Sequence, residues 1–493
     1  MPTRVASVLF LSLGLFLFPC RALAADTWTE VKSDNFTVVS NAGDKKARNV
    51  AWQFEQVRSA IRQGFPWAAA DLNRPMVIIA AKDEDTMRKL APEYWEKRGE
   101  TRPAAVSVSG WDSHYIAVRA DLQEEGQGQN PYRHAYWSYS VLVFEENFNY
   151  RLPLWLSIGV ASLLSNTTVS SKEIQFGVPI PEYIETLRTS PIIPLPQLLA
   201  VTRDSPAYQQ SVGRERLDAQ CWALLQFLMF SQQGGGGGRV NQLSALLLSG
   251  MPSAQAVQQV YGGIDALDQA YRLYVHQSIF RFGRLKVDTD TSTTKYPARV
   301  LTPAEGAAVQ AALHVAMGRP VEARAMMAQA RAADPAIVAP DDLDAILLDK
   351  EKKTEDARAA YAKAVERGSK NFWVYYRLAS LSSGSPMDAA AMADMTVKLE
   401  RSTALNPRFA PAFDYLANMQ ARQRQFDRAL ETQQKAVALA SNDVALRINL
   451  ARLLLTSNRR DDAVKVVNDA MSLARSDQER NALRTLIPPV AGR

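Results

Sequence analysis

Two adjacent carboxylates, Glu145 and Glu146, lie within a stretch rich in apolar and aromatic residues, VLVFEENFNYRLPLWLSIGVASLLSN, from Val141 to Asn166. A carboxylate in such surroundings can act as a general acid or base once burial has tuned its proton affinity. Neighbours on a helix, however, point about 100° apart, so the pair is not an acid/base dyad. One is expected in water and the other paired with an arginine such as Arg133 or Arg151. Histidine is scarce. The chain has four, His114, His134, His276 and His314, none close to another and none with a cysteine at ligand spacing. His134 and Glu145 share a helix face, but three turns put them roughly 16 Å apart, too far to hold one ion. Cys221 sits in an apolar helical run beside Trp222, the setting of a buried, inert thiol more than of a nucleophile.

The layout around Glu145 resembles the core of the peptidase-MA-like branch of the gluzincins, a thermolysin-type family. There a helix carrying HExxH is followed, after a short loop, by LPLWLxEGxA; this chain has Leu152, Pro153, Leu154, Trp155 and Leu156, with Gly159 and Ala161 in register. In the family, two histidines four apart on one helix face and a carboxylate from the next helix hold zinc, and the fourth corner holds a water. Here Phe144 and Phe148 occupy the histidine positions and Ile158 that of the third ligand; only the motif glutamate, Glu145, is kept. Phenylalanine and isoleucine have no lone pair to offer, so the resemblance implies a domain without zinc in the family's manner, without catalytic residues and without a cofactor. The three apolar side chains are expected to converge and fill the former metal cavity.

Other segments carry the same resemblance. Trp28 and DNFTVVSN, 34–41, look like an opening strand before a helix from about Lys45 to Gln63; Arg74 and Pro75 introduce the strand MVIIAA; EIQFGVP, 173–179, resembles the hairpin after the active site, and AQCWALLQFLM, 219–229, the Trp-Ala-Leu helix. The resemblance spans roughly Asp26 to Phe282 and implies an α+β domain with a small mixed sheet plus helices. Five glycines, Gly234 to Gly238, are expected to end the preceding helix in a flexible loop, since each costs about 1 kcal/mol in a helix relative to alanine.

Arg4, the short apolar run VLFLSLGLFLF and the Ala22-Leu23-Ala24 site before Ala25 have the pattern of a secretory signal peptide over residues 1–24. An exported, periplasmic protein is therefore expected. Lipidation at Cys20 is the minor alternative, disfavoured by Pro19 before it and by the cleavage site just beyond. No later apolar run reaches the roughly eighteen residues of a transmembrane helix. Cleavage leaves Cys221 as the single cysteine, unable to form an internal disulfide. It also lowers the formal charge from +6 to +4, too small an excess to argue for nucleic acid.

Beyond the polar, strand-like linker at 283–302, the chain turns alanine-rich. Ala311, Ala323 and Ala330 recur 34 residues on as Ala345, Ala357 and Ala364, and Ala417, Ala429 and Ala436 recur as Ala451, Ala463 and Ala470. That period, with small residues where helices cross closely, is the tetratricopeptide pattern. Tyr361, Leu416, Leu450, Asp334-Pro335 and Asn406-Pro407 fit it, with an insertion near Ser382 to Pro386. The expected organisation is a signal peptide at 1–24, a degenerate peptidase-MA-like domain at 25–282, a linker at 283–302, about five repeats in an all-α solenoid at 303–475, and a capping helix and tail at 476–493. A solenoid of this kind presents a concave groove to a protein or peptide. Arg377, Asn418, Arg422 and Asn449 are placed in it by helix position. The function expected is thus a non-catalytic binding or scaffolding protein. The alternatives are a hydrolase using Glu145 at an unrecognised site, and a pseudoprotease that captures chains in its old cleft.

Overall fold

The computed structural model describes residues 26–96, 102–122, 129–148, 151–277, 279–287, 295–382 and 387–487. Residues 1–25, with Cys20 and the segment read as a signal peptide, and most of the expected insertion after Ser382 lie outside the described residues.

The first half is built on a six-stranded mixed sheet in the order β4-β5-β3-β2-β1-β9. Its strands are β1 (Thr29–Lys32), β2 (Phe36–Ser40), β3 (Met76–Ala81), β4 (Ala105–Ser109), β5 (His114–Arg119) and, much later, β9 (Ala298–Val300). β2, β3 and β5 run parallel, and the outer strands are antiparallel to their neighbours. Strand periodicity decides which residues face which layer. Phe36, Val38, Ile78, Ala80, Ile116 and Val118 enter the main core, while Val39, Ile79, Ala81, Tyr115 and Ala117 face the opposite side.

Helix α1 (Asp44–Gly64) crosses the main face, and α2 (Glu84–Leu90) lies on the other. The main core continues through α3 (Arg133–Phe148), α4 (Leu154–Ser165), the hairpin β6 (Thr168–Val169) and β7 (Glu173–Phe176), then α5 (Pro181–Thr189), α6 (Leu195–Leu199), α7 (Pro206–Gln209), α8 (Ser211–Phe230), α9 (Gly236–Leu248), α10 (Ser253–Tyr261) and α11 (Ile264–Val275). α4 and α8 touch at Gly159, where an added Cβ would stand 2.7 Å from the Cys221 carbonyl oxygen. Only glycine permits that approach.

Two expectations are revised. The glycine run is not simply a loop: Gly236 to Gly238 form the first turn of α9. Burial of Val240, Leu243 and Leu247 offsets the helical cost of glycine, and Gly235, at φ 75°, makes the tight return from α8. The segment 283–302 does not run free between modules. β8 (Gly283–Lys286) pairs with β7, and β9 closes the edge of the large sheet against β1.

The second half is helical. Five antiparallel pairs follow in order: α12 (Pro303–Ala316) with α13 (Pro320–Ala333), α14 (Ala339–Lys350) with α15 (Thr354–Glu366), α16 (Phe372–Leu381) with α17 (Ala389–Leu405), α18 (Ala410–Arg422) with α19 (Phe426–Leu439), and α20 (Val444–Thr456) with α21 (Arg460–Leu473). α22 (Asp477–Leu486) closes the array behind a capping box of Ser476 and Glu479. The periodic alanines, from Ala311 to Ala470, are all fully buried at the helix crossings.

The halves are joined by more than the chain. Leu313 of α12 packs into the core on the second face of the sheet, beside Trp28 and Tyr115. Side chains then tether the array along its length. Arg319 donates to the Leu90 carbonyl (2.7 Å), Asn371 to Asp112 (2.7 Å), Asn406 to the Asn73 carbonyl (2.9 Å), and Asn442 to the Asn147 carbonyl (3.3 Å). The three asparagines each occupy the turn before the first helix of a repeat.

At this seam Asp342 is buried with Oδ1 unpaired. Burial, helped by the charges of Asp112 and Asp341 and opposed by a Ser369 hydrogen bond, pushes its carboxyl up to about 7. The unfolded chain releases this proton near about 4. The folded state therefore binds more protons between those values, and stability falls as pH rises through the window and levels off above it. Asp342→Asn is expected to flatten that decline, adding about 2–4 kcal/mol at pH 8 and little below pH 4, as read from urea unfolding across pH.

Candidate functional site

Helix α3 carries the residues singled out from the sequence, and it presents them to different places. Phe144 and Phe148 point into the core at 2% and 3% exposure, and Ile158 of α4 joins the same core at 3%. Their closing partner is Trp67, in the stretch after α1. Its ring stacks on Phe144 (centroids 6.1 Å, 20° between planes) and leans on Phe148 (5.8 Å), and the two phenylalanines lie 6.5 Å apart. About 20 Å³ of space remains beside Phe144, room for about one water.

Glu145 and Glu146 take separate roles, and neither pairs with Arg133 or Arg151. Arg133 binds Glu182, and Arg151 donates to the Leu473 carbonyl. The helix rotation between neighbours sends Glu146 under the sheet end, where Oε1 accepts from His114 Nε2 (2.7 Å) and from Arg74 Nε (2.8 Å) and Nη2 (2.6 Å), and Oε2 accepts from the Asn73 amide (2.8 Å). His114 is fully buried, with Nδ1 against the Ser109 hydroxyl at 3.0 Å. Burial disfavours the Glu146 charge, but the His114 and Arg74 contacts outweigh it and hold the carboxyl below its ordinary value. Glu145 faces the other way, half-buried, with Arg203 at 3.4 Å. Burial pushes its carboxyl up, partly opposed by Arg203.

The four histidines do not meet: His114 is on β5, His134 on α3, His276 at the end of α11 and His314 on α12. Among the described residues, no three His, Cys, Asp or Glu side chains converge as a metal site would require. Cys221 is buried on α8, and burial pushes its thiol well above the ordinary range.

The repeat array supplies the facing wall. Between α3 and the first helices of the third to fifth repeats lies a chamber of about 880 Å³. One side is Asn73, Arg74, His114, Leu142, Glu145, Glu146 and Asn147, and the other is Tyr376, Asp414, Tyr415, Asn418, Asn442, Asp443 and Leu446. The concave surface of the later repeats is thus turned toward this chain's own first half rather than toward open solvent. Of its carboxylates, Glu146 is matched by Arg74 and Glu145 by Arg203, which leaves Asp414 and Asp443 with no lysine or arginine at ion-pair distance among the described residues.

Of the residues placed in the groove by sequence, Asn418 lines the chamber. Arg377 instead clasps Asp349 of the preceding repeat through two bonds (2.5 and 3.0 Å), and Asn449 donates to Asp414 at 2.9 Å. Arg422 is exposed and donates to Asn418. Sequence reasoning missed Trp67, the His114–Glu146–Arg74 network and the tethering asparagines. The first two join residues far apart in sequence. The last had a signal, the recurrence of Asn371, Asn406 and Asn442 at intervals of 35 and 36 residues.

The fold and site together define a mixed α/β domain clasped by a helical repeat array. A family model for the tetratricopeptide repeat matches residues 420–487, and the array is of that kind. Solved structures are similar to part of the chain. YrrB, described as having an unusual peptide-binding site, is 15% identical with a TM-score of 0.31, covering 37% of this chain and 92% of its own. MamA from Desulfovibrio magneticus RS-1 is 19% identical with a TM-score of 0.29, covering 36% and 97%. No curated protein matches the sequence.

Truncating Phe144 to alanine is expected to destabilise the protein by about 3–5 kcal/mol in denaturant unfolding, because it opens a hole under Trp67 that flanking helices cannot fill. A loss below about 1 kcal/mol, the range of surface changes, would show that the aromatic cluster does not support α3.

Proposed function

We propose that this is an exported, non-catalytic binding protein of the bacterial envelope, in which a pseudopeptidase domain related to the gluzincins and a tetratricopeptide array together hold a polypeptide segment. The observation that carries this reading is the chamber between α3 and the repeats. Its peptidase-like wall has aromatic core where the resemblance expects metal ligands, with the motif helix sealed by Phe144, Phe148 and Trp67. The repeat wall supplies what recognition needs: two tyrosines, two asparagines and the carboxylates of Asp414 and Asp443. With Glu145 matched by Arg203 and Glu146 by Arg74, it is these two aspartates that favour a segment bearing lysine or arginine. Support for export comes from the signal-like first 24 residues.

A second reading rests on Glu145 itself. A carboxyl at a cavity wall whose proton affinity is raised by burial is a general-base candidate, which keeps a hydrolase in view. Metal content separates the two. Purified mature protein, incubated with excess zinc and gel-filtered, is expected to carry almost none by elemental analysis. Stoichiometric zinc lost on changing Glu145 or His134 would put hydrolysis first.

Selection of a displayed random peptide library on the full-length protein is expected to enrich basic sequences, with capture abolished by Asp414→Lys. Enrichment of acidic or featureless sequences, or capture indifferent to that change, would remove the chamber from the binding role.

A further inference from the structure

A second cavity, of about 580 Å³, lies where the α3–α4 junction meets the last repeat. Four arginines line it, Arg151, Arg203, Arg475 and Arg480, and among the described residues no carboxylate does. Two of these are neutralised nearby: Arg203 by Glu145, a residue of the chamber, and Arg480 by Asp477 at 3.1 Å. Arg151 is different. It is 7% exposed, and its guanidinium donates to a carbonyl, that of Leu473 (2.6 Å), with no carboxylate at ion-pair distance among the described residues. A cation buried this deeply is ordinarily paired, because desolvation costs several kcal/mol. Burial pushes its pKa below the usual arginine value, with the more distant Glu479 and Asp443 opposing the shift.

Two helices begin at the same wall. α4 starts at Leu154 and α10 at Ser253, each behind a proline N-cap that makes no side-chain capping bond. Trp155 donates its indole N–H to the Ser253 hydroxyl at 3.1 Å, fixing the two ends together. Uncapped first-turn amides carry partial positive charge. Beside the hydroxyls of Thr202, Ser249, Ser253 and Ser472, the lining has an apolar wall of Leu152, Leu199, Val201, Leu247, Met251 and Leu473. Bare phosphate or sulfate would leave that surface without a partner.

We propose that this cavity receives a carboxylate carried on an apolar group, with Arg151 and Arg475 contacting the carboxylate and the leucine-rich wall taking the apolar part. The C-terminal residue of a polypeptide and a fatty acid share that chemistry. The site stands apart from the chamber, so it holds or fails independently of the basic segment proposed there.

Calorimetric titration of the full-length protein with N-acetyl-leucyl-leucine, its C-terminal amide, octanoate and inorganic phosphate tests it. Saturable binding of an acid is expected, with the amide at least about tenfold weaker because it forfeits charge-assisted hydrogen bonds. Tighter binding of the dipeptide acid than of octanoate assigns the site to a peptide terminus, and the reverse order to a fatty acid. Arg475→Ala is expected to weaken the acid by about tenfold. Arg151→Lys, checked for an unchanged melting temperature, is expected to weaken it as well, since lysine lacks the fork that grips both carboxylate oxygens. No saturable binding by either acid, equal affinity for acid and amide, phosphate competing as well as the acids, or indifference to Arg475→Ala would each overturn the proposal.

Discussion

The arrangement depends on the tether between the repeats and the sheet domain, made largely by asparagine amides donating across the seam. A tetratricopeptide array is a stack of near-neighbour contacts and can bend along its length. Here Asn371, Asn406 and Asn442, one per repeat, fasten successive turns to Asp112, Asn73 and Asn147. Each bond alone contributes about 1 kcal/mol. Their value is geometric, since together they fix the curvature of the array over α3 and so give the chamber its second wall.

The wall beneath is fixed by different physics. Phe144, Phe148 and Trp67 immobilise one face of α3 by aromatic packing, and Glu146 anchors an adjoining face through a buried network with His114 and Arg74. Glu146 accepts four hydrogen bonds, which offsets the cost of burying its charge. Glu145, one residue earlier, is left at the cavity wall. Adjacent glutamates of identical chemistry therefore differ in proton affinity in opposite directions, for no reason beyond the 100° between them.

Much of this was legible in the sequence where the physics is local. The alanine period marked the repeat helices because close helix crossings tolerate only small residues. What escaped the sequence was long-range. Nothing near Arg74 or His114 points to a glutamate 72 or 32 residues away, and the partners offered for the glutamates, Arg133 and Arg151, were chosen by proximity along the chain and found others in space. The strand-like character of 283–302 was legible but its partners were not, for the same reason: β9 reads as part of a connector until β1, some 270 residues earlier, provides an edge. The glycine run misled because its helical cost is visible in the sequence and the packing of Val240 and Leu243 that offsets it is not.

Repeat arrays commonly gain or lose whole units, since each unit contacts only its neighbours. The asparagine tethers remove that freedom here. Deleting or duplicating any unit between α12, which is sealed into the sheet core, and Asn442 would shift every later tether by a full repeat, away from the fixed carbonyls of Asn73 and Asn147. The number of repeats is thereby set by the dimensions of the domain they clasp, as the links of a bracelet are set by the wrist.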